Sequence, residues 1–183
     1  MPNWVFHRLT ITGPETERKR FIAECFSKTG DGMQFDFNKL IPEPEHNESE
    51  EDNIFGPNSG GGDVIFTGNV ITIPADGGGF KFPAWYEWRC ANWGTKWNAA
   101  HTTLEYGDDQ MSLSFDTAGA PPMPIFHELA KRFPKLRIEG RIIEAYQFGG
   151  DIVCQNGSVE FDDQSEEISA EFERMMMRAS QAH

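Results

Sequence analysis

The stretch Trp4-Val5-Phe6-His7-Arg8-Leu9-Thr10-Ile11-Thr12-Gly13-Pro14-Glu15 decides how the chain is read. Val5, His7, Leu9 and Ile11 alternate with Phe6, Arg8 and Thr10, the period of a strand with one buried face. The reading is a first strand over Trp4 to Thr12. Gly13 breaks it, Pro14 suits the first helical position, and Glu15 places an acid in the first turn. Phe21, Ile22, Cys25 and Phe26 then recur at helical spacing, with Gly30 beyond them as a stop, so a helix is expected from about Pro14 to Lys28.

Outward from this strand and helix, Met33, Phe35 and Phe37 alternate into Leu40-Ile41-Pro42, which reads as a second strand ending at a proline. From Glu43 the chain turns acidic and then rich in Gly, Pro, Ser and Asn, so residues 43–83 read as an insertion between core elements. Within it, Val64-Ile65-Phe66 and Val70-Ile71-Thr72-Ile73 flank Thr67-Gly68-Asn69 as a small hairpin. A second hairpin is expected where Thr102 to Tyr106 and Met111 to Phe115 bracket Gly107-Asp108-Asp109-Gln110. Pro121 and Pro122 open a helix whose Ile125, Phe126, Leu129, Ala130 and Phe133 share one face, and Pro134 closes it. Leu136, Ile138 and Ile142 mark a further strand. Ile152 to Cys154 and Val159 to Phe161 are joined through Gln155-Asn156-Gly157-Ser158, and Asn-Gly there is a hairpin cue. Residues 162–180 hold a capping-box pattern at Asp163 to Glu166 and then Ile168, Phe172, Met175, Met176 and Ala179, an amphipathic C-terminal helix. Strand, helix, strand, long insertion, strand, helix, strand is the α+β, ferredoxin-like split βαβ order. It predicts an antiparallel sheet with two helices on one face, followed by an extra hairpin and the terminal helix.

At 183 residues, 38% hydrophobic and 13% aromatic, the chain holds enough apolar surface for one core, and residues 1–183 are read as a single domain. The net charge of −13 is unevenly placed. Residues 41–63 and 160–173 each hold seven acids and no Lys or Arg, which leaves the remaining chain near neutral. That balance disfavours a general attraction for nucleic acid. Cys25, Cys90 and Cys154 are odd in number and form no C-x-x-C pair, which argues against a disulfide framework or a zinc cage. Neither a membrane span nor a secretory signal is read, and the expected location is the cytoplasm.

Four of the five tryptophans fall in the run Trp85-Tyr86-Glu87-Trp88-Arg89-Cys90-Ala91-Asn92-Trp93-Gly94-Thr95-Lys96-Trp97-Asn98. Tryptophan buries a large area and must also find a partner for its indole N–H, so such density marks a core or a recognition surface. Two roles are open. The segment plugs the sheet and fixes the insertion to the core, or it forms a binding surface of Trp85, Arg89, Asn92, Trp93, Lys96, Trp97 and Asn98. In the second case Trp93 and Trp97 stack on a ligand while Lys96 and Arg89 meet an anion. The run Asn92 to Ala99, the opening Pro2-Asn3-Trp4, the stretch Phe35 to Pro42, and Phe115 to Ala118 with Pro121-Pro122 resemble the YubB-like family. Its members are uncharacterised proteins of bacterial plasmids, genomic islands and phages that carry a ferredoxin-like domain. The resemblance implies that fold and a mobile-element origin, and it carries over no catalytic residue.

Other chemistry is weakly signalled. Gly60-Gly61-Gly62 and Gly77-Gly78-Gly79 lack the Gly-Lys-Ser/Thr that a phosphate-binding loop needs. His7, His46, His101, His127 and His183 show no metal-binding spacing, and no nucleophile elbow occurs. Asp116 and Glu144, near strand ends, are read as solvated acids. Lys131, Arg132, Lys135, Arg137 and Arg141 are read as a solvated helix end and edge strand. No catalytic residue, metal or cofactor is assigned. The expectation is a binding protein from a mobile element that acts on a host or defence macromolecule. An acidic decoy that mimics DNA, and a nucleotide or single-strand binder or an enzyme on such a substrate using the Trp-rich run, are the competing readings.

Overall fold

The structure, a computed structural model, describes residues 3–30, 32–45, 65–67, 70–72, 84–144 and 148–170. β1 (Trp4–Thr12) carries the expected alternation, with Val5, Leu9 and Ile11 buried and Phe6 and Arg8 exposed. α1 (Glu15–Cys25) starts after Pro14 and buries Phe21 and Cys25. The buried Arg18 ties this helix to a distant turn, donating from Nη1 to the Gly107 carbonyl at 2.8 Å and from Nη2 to that of Asp108.

After α1 the chain departs from the expected order. The helix stops at Cys25, three residues short of Lys28, because Phe26 turns extended and pairs with Phe35, ring centroids 5.6 Å apart. β2 (Phe26–Thr29) and β3 (Gly32–Phe35) form a two-stranded ribbon of their own. The second strand expected over Met33 to Pro42 is therefore cut short. The Asp36 side chain accepts from the Asn38 N–H and caps a single helical turn, α2 (Phe37–Leu40), which buries Phe37 and Leu40. β4 (Ile65–Thr67) and β5 (Val70–Thr72) pair as the predicted hairpin. Of the predicted insertion, residues 46–64, 68–69 and 73–83 lie outside the described residues.

α3 (Ala84–Asn92) precedes β6 (Ala100–Tyr106) and β7 (Gln110–Ala118), the predicted hairpin. α4 (Met123–Arg132) follows, then β8 (Arg137–Glu144), β9 (Phe148–Gln155) and β10 (Ser158–Asp163). Asn156 and Gly157 take positive φ of 52° and 81° between the paired Gln155 and Ser158, the two-residue turn that Asn-Gly favours. The six-stranded sheet runs β10-β9-β8-β1-β7-β6. Within it β8-β1-β7-β6 is wholly antiparallel, with β1 and β6 parallel to one another and β7 between them. This is the ferredoxin-like split βαβ core, and its second strand is β6. The excursion between core elements accordingly spans β2 through α3.

One face of the sheet is covered by α1 and α4, and on the other the helix over 165–170 lies against Gly149, the register partner of Ile143. Val5, Leu9, Met111, Phe115 and Ile138 meet Phe21 of α1 and Ile125, Phe126 and Leu129 of α4 in a single core. Each such side chain contributes roughly 1.5–3 kcal/mol by leaving water. β8, expected at the sheet edge, lies inside it, because β9 and β10 extend the sheet beyond. Residues 165–170 are helical, so the expected C-terminal helix starts after β10 rather than at 162, and its part beyond 170 lies outside the described residues. Gly149 on β9 leaves the space that Ile168 of this helix occupies, since an added Cβ would stand 2.4 Å from its Cδ1. No helix of the described residues is long and apolar enough to cross a membrane.

Candidate binding face

The Trp-rich run divides between the core and the surface. Trp93, 2% exposed, sits in the core and donates from its indole N–H to the Ile41 carbonyl at 2.9 Å. Gly94 follows at φ 81°, where a Cβ would stand 2.9 Å from the Pro124 ring, so glycine is required at the end of this helix. Arg89 lies over the Trp85 and Trp93 rings, 4.8 and 5.3 Å from their centroids, and pairs through two nitrogens with Glu43. Asn92 donates back to the Trp88 carbonyl. Asn98 accepts from the Phe37 and Ala99 N–H groups and donates to Asp36 at 2.8 Å, which clamps the start of β6 to the cap of α2. Of the seven expected site residues, Trp93 sits in the core, Arg89 and Asn98 tie α3 and the start of β6 to the residues around α2, and Trp85 and Asn92 make their contacts within α3. The stacking expected of Trp93 conflicts with its burial.

Lys96 and Trp97 behave differently. Trp97 is 41% exposed, with the Lys96 ammonium 4.9 Å from its ring centroid. Its ring stands 6.1 Å from that of Trp4, and Trp4 stands 5.3 Å from His101. The two residues thus bring the Trp-rich run to the end of β1, at the rim of the sheet face opposite α1 and α4.

Strand register builds that outer face in rows. Phe6 stands between Asp116 of β7 and Ile143 of β8. The next row holds Ser114, Arg8, Arg141 and Asp151 in sequence across β7, β1, β8 and β9. Phe6 is 43% exposed. Above it lies a hollow of about 510 Å³ lined by Phe6, His7, Arg8, Ser114, Asp116, Arg141 and Ile143. Arg8 and Arg141 are direct cross-strand partners, a like-charge placement that costs stability. Arg141 reaches Asp151 only at 3.4 Å with both side chains about half exposed, and Arg8 has no acidic partner among the described residues. At the rim His101 takes φ 50°, an uncommon conformation for a non-glycine residue, beside the register shift between Ala100 and Thr103. Its Nδ1 lies 2.7 Å from Asp116 Oδ2.

The same geometry limits the chemistry. Among the described residues no three His, Cys, Asp or Glu are grouped to hold a metal ion. Burial pushes the Cys154 thiol up to about 12 and the Cys25 thiol further still, which removes both as nucleophiles at neutral pH. Of the basic cluster, Arg132 caps α2 through the Lys39 and Leu40 carbonyls, and Arg137 pairs with Glu139 and Gln155, so Arg141 alone joins the hollow.

The sequence reading did not single out Trp4, Phe6, Arg8, His101 or Ile143, which line this candidate face, and it took Asp116 for a solvated acid. The alternation of β1 already sends Phe6 and Arg8 to the face away from Val5 and Leu9. Nothing in sequence spacing sets Arg141 opposite Arg8, because that is a matter of register between strands far apart in the chain.

No curated protein and no solved structure matches the chain. Residues 92–180, just under half of it, match the model of a family described as the ferredoxin-like domain in Api92-like protein. The match starts at the last residue of α3 and takes in three of the four core strands, leaving β1 outside. Over that span the chain is similar to a ferredoxin-like domain of the Api92-like kind, and the model that matches does not carry the YubB-like name.

Proposed function

We propose that this chain is a binding protein without a catalytic centre, and that it engages its target through the outer sheet face around Phe6 and Arg8. The observation that carries this is the Arg8–Arg141 pair. Two guanidinium groups face each other across β1 and β8 on a 510 Å³ hollow, and Arg8 has no counter-charge among the described residues. Like charges held in register beside an exposed aromatic cost folding energy, and a ligand that neutralises them returns it. The resemblance to the YubB-like family supports a mobile-element accessory role, carried by a phage, plasmid or genomic island, and the match to the Api92-like domain bears on the fold alone. In that role the target is a host or defence macromolecule in the bacterial cytoplasm.

The test is affinity capture by the full chain from host lysate, with and without nuclease. Arg8→Glu is expected to lose the captured target, while the quadruple neutralisation of Glu48, Glu50, Glu51 and Asp52 retains it. Capture by Arg8→Glu equal to that of the wild type overturns the reading. Loss confined to the acid-neutralised chain turns the assignment to the acidic decoy instead.

A further inference from the structure

We infer that the outer face recognises one nucleotide unit, its base laid on Phe6 and its phosphate held between Arg8 and Arg141. The inference rests on the reading above that this face is the binding surface, and it adds the chemical class of the ligand.

Charge comes first. Arg8 and Arg141 are cross-strand partners, and among the described residues the one acid paired with either is Asp151, 3.4 Å from Arg141. A phosphate presents several oxygens to guanidinium forks and so bridges both groups, which one carboxylate at the edge of the pair does not. Shape comes second. Phe6 lies two residues from Arg8 along the same face of β1, a separation of about 7 Å in a strand. That spacing suits a base and its own phosphate joined through the sugar. Phe6 and Ile143 give an apolar floor, and the hollow above them is of small-ligand size.

Polarity along the hollow agrees. Ser114, beside Arg8, supplies a hydroxyl at the phosphate end. Asp116, beside Phe6, supplies a carboxylate at the base end, held there through its contact with His101. A base edge offers N–H donors to such a carboxylate.

The surroundings set the extent of the site. Asp151 and Asp162 continue the arginine row toward the β10 edge, and Glu105, Glu139 and Glu160 lie in the next row along the strands. A polyanion laid across the whole sheet meets repulsion from those acids, so the face takes one nucleotide. Continuation of a chain is favoured only toward Trp4, Trp97 and Lys96. The unit has two sources, a free nucleotide or a residue within a single strand. A base stacked inside a duplex cannot reach Phe6.

The experiment titrates the full chain with 5′-mononucleotides of each base, a five-residue single strand, a blunt duplex, a nucleoside and inorganic phosphate. Calorimetry and the fluorescence of Trp4 and Trp97 read the binding. Saturable binding of mononucleotide or single strand is expected, with nucleoside and phosphate each much weaker and the duplex silent. Arg8→Ala weakens binding about tenfold or more, and Phe6→Ala about fivefold or more. Trp85→Ala, on α3 and outside the hollow, leaves it unchanged. Both Arg8 and Phe6 are exposed, so the variants are expected to keep the wild-type fold, and circular dichroism is the control that checks it. Equal affinity for mononucleotide and strand marks the free nucleotide as the source, and a much tighter strand marks the polymer. Absence of saturable binding for every nucleotide and strand overturns the inference, as does binding that neither variant weakens. If lysate capture still depends on Arg8 in that case, the binding face stands and only the nucleotide assignment falls. If capture ignores Arg8, both fall.

Discussion

The two faces of β1 are made by the same nine residues under opposite demands. On the inner face Val5, His7, Leu9 and Ile11 are at most 3% exposed and meet the helices, whereas Phe6 and Arg8 on the outer face are exposed. The inner face is explained by packing alone. The outer face is not, since it sets two arginines against one another and leaves an aromatic in solvent. A strand can hide functional side chains in plain alternation, because the demands of the core are met by every second residue.

The sharpest way to break this contrast is to move it to the two tryptophans that end the Trp-rich run. Trp93→Ala is expected to cost about 3–5 kcal/mol through lost burial and an unfilled cavity. Trp97→Ala, at a position 41% exposed, is expected to stay within about 1 kcal/mol. Urea denaturation followed by far-UV circular dichroism measures both, and equal losses would erase the distinction between plug and rim.

A smaller effect tests the inner face by pH. His7 is buried with its ring stacked on Phe115, and among the described residues its Nε2 has no hydrogen-bond partner. Burial outweighs the backbone hydrogen bonds of its ring and lowers its pKa from 6.5 to about 3. The unfolded chain therefore takes up the proton first as pH falls. His7 contributes its full stability above pH 6.5 and loses it progressively between pH 6.5 and about 3. The expected slope is roughly 1.4 kcal/mol per pH unit, or about 2 kcal/mol between pH 6.5 and 5. His7→Phe should flatten the denaturation midpoint over that interval, where few carboxylates titrate. An unchanged slope would mean that the imidazole is hydrated in the folded state.

The smallest effect concerns the outer face. Arg8→Ala removes one of two facing like charges, so unfolding free energy is expected to hold or rise by up to about 0.5 kcal/mol. A loss well above 1 kcal/mol by thermal or urea melts would show that Arg8 serves the fold, and the case for a ligand there would lose its main support.

Much of this architecture was legible in the residues. The periods of two and 3.6 located β1, the β6–β7 hairpin, α4 and the β9–β10 turn, and Asn156-Gly157 foretold its own geometry. Misreading began where local and distant demands part. Phe35 and Phe37 alternate as a strand would, yet Asp36 between them caps a helical turn and is itself held by Asn98. The second core strand was consequently assigned before the insertion, whereas β6, after α3, supplies it. The seven-residue Trp-rich run divides between core and surface for a related reason, since its composition marks large side chains without saying which way each one points.

Sequence by itself determined which residues share a face of each element, because side-chain direction within a strand or helix follows from backbone geometry alone. Only the tertiary structure decided which faces meet, and with them the pairing of Arg8 with Arg141 and the opposite fates of Trp93 and Trp97. Those outcomes depend on strand order and register, which are set by the collective packing of segments more than a hundred residues apart.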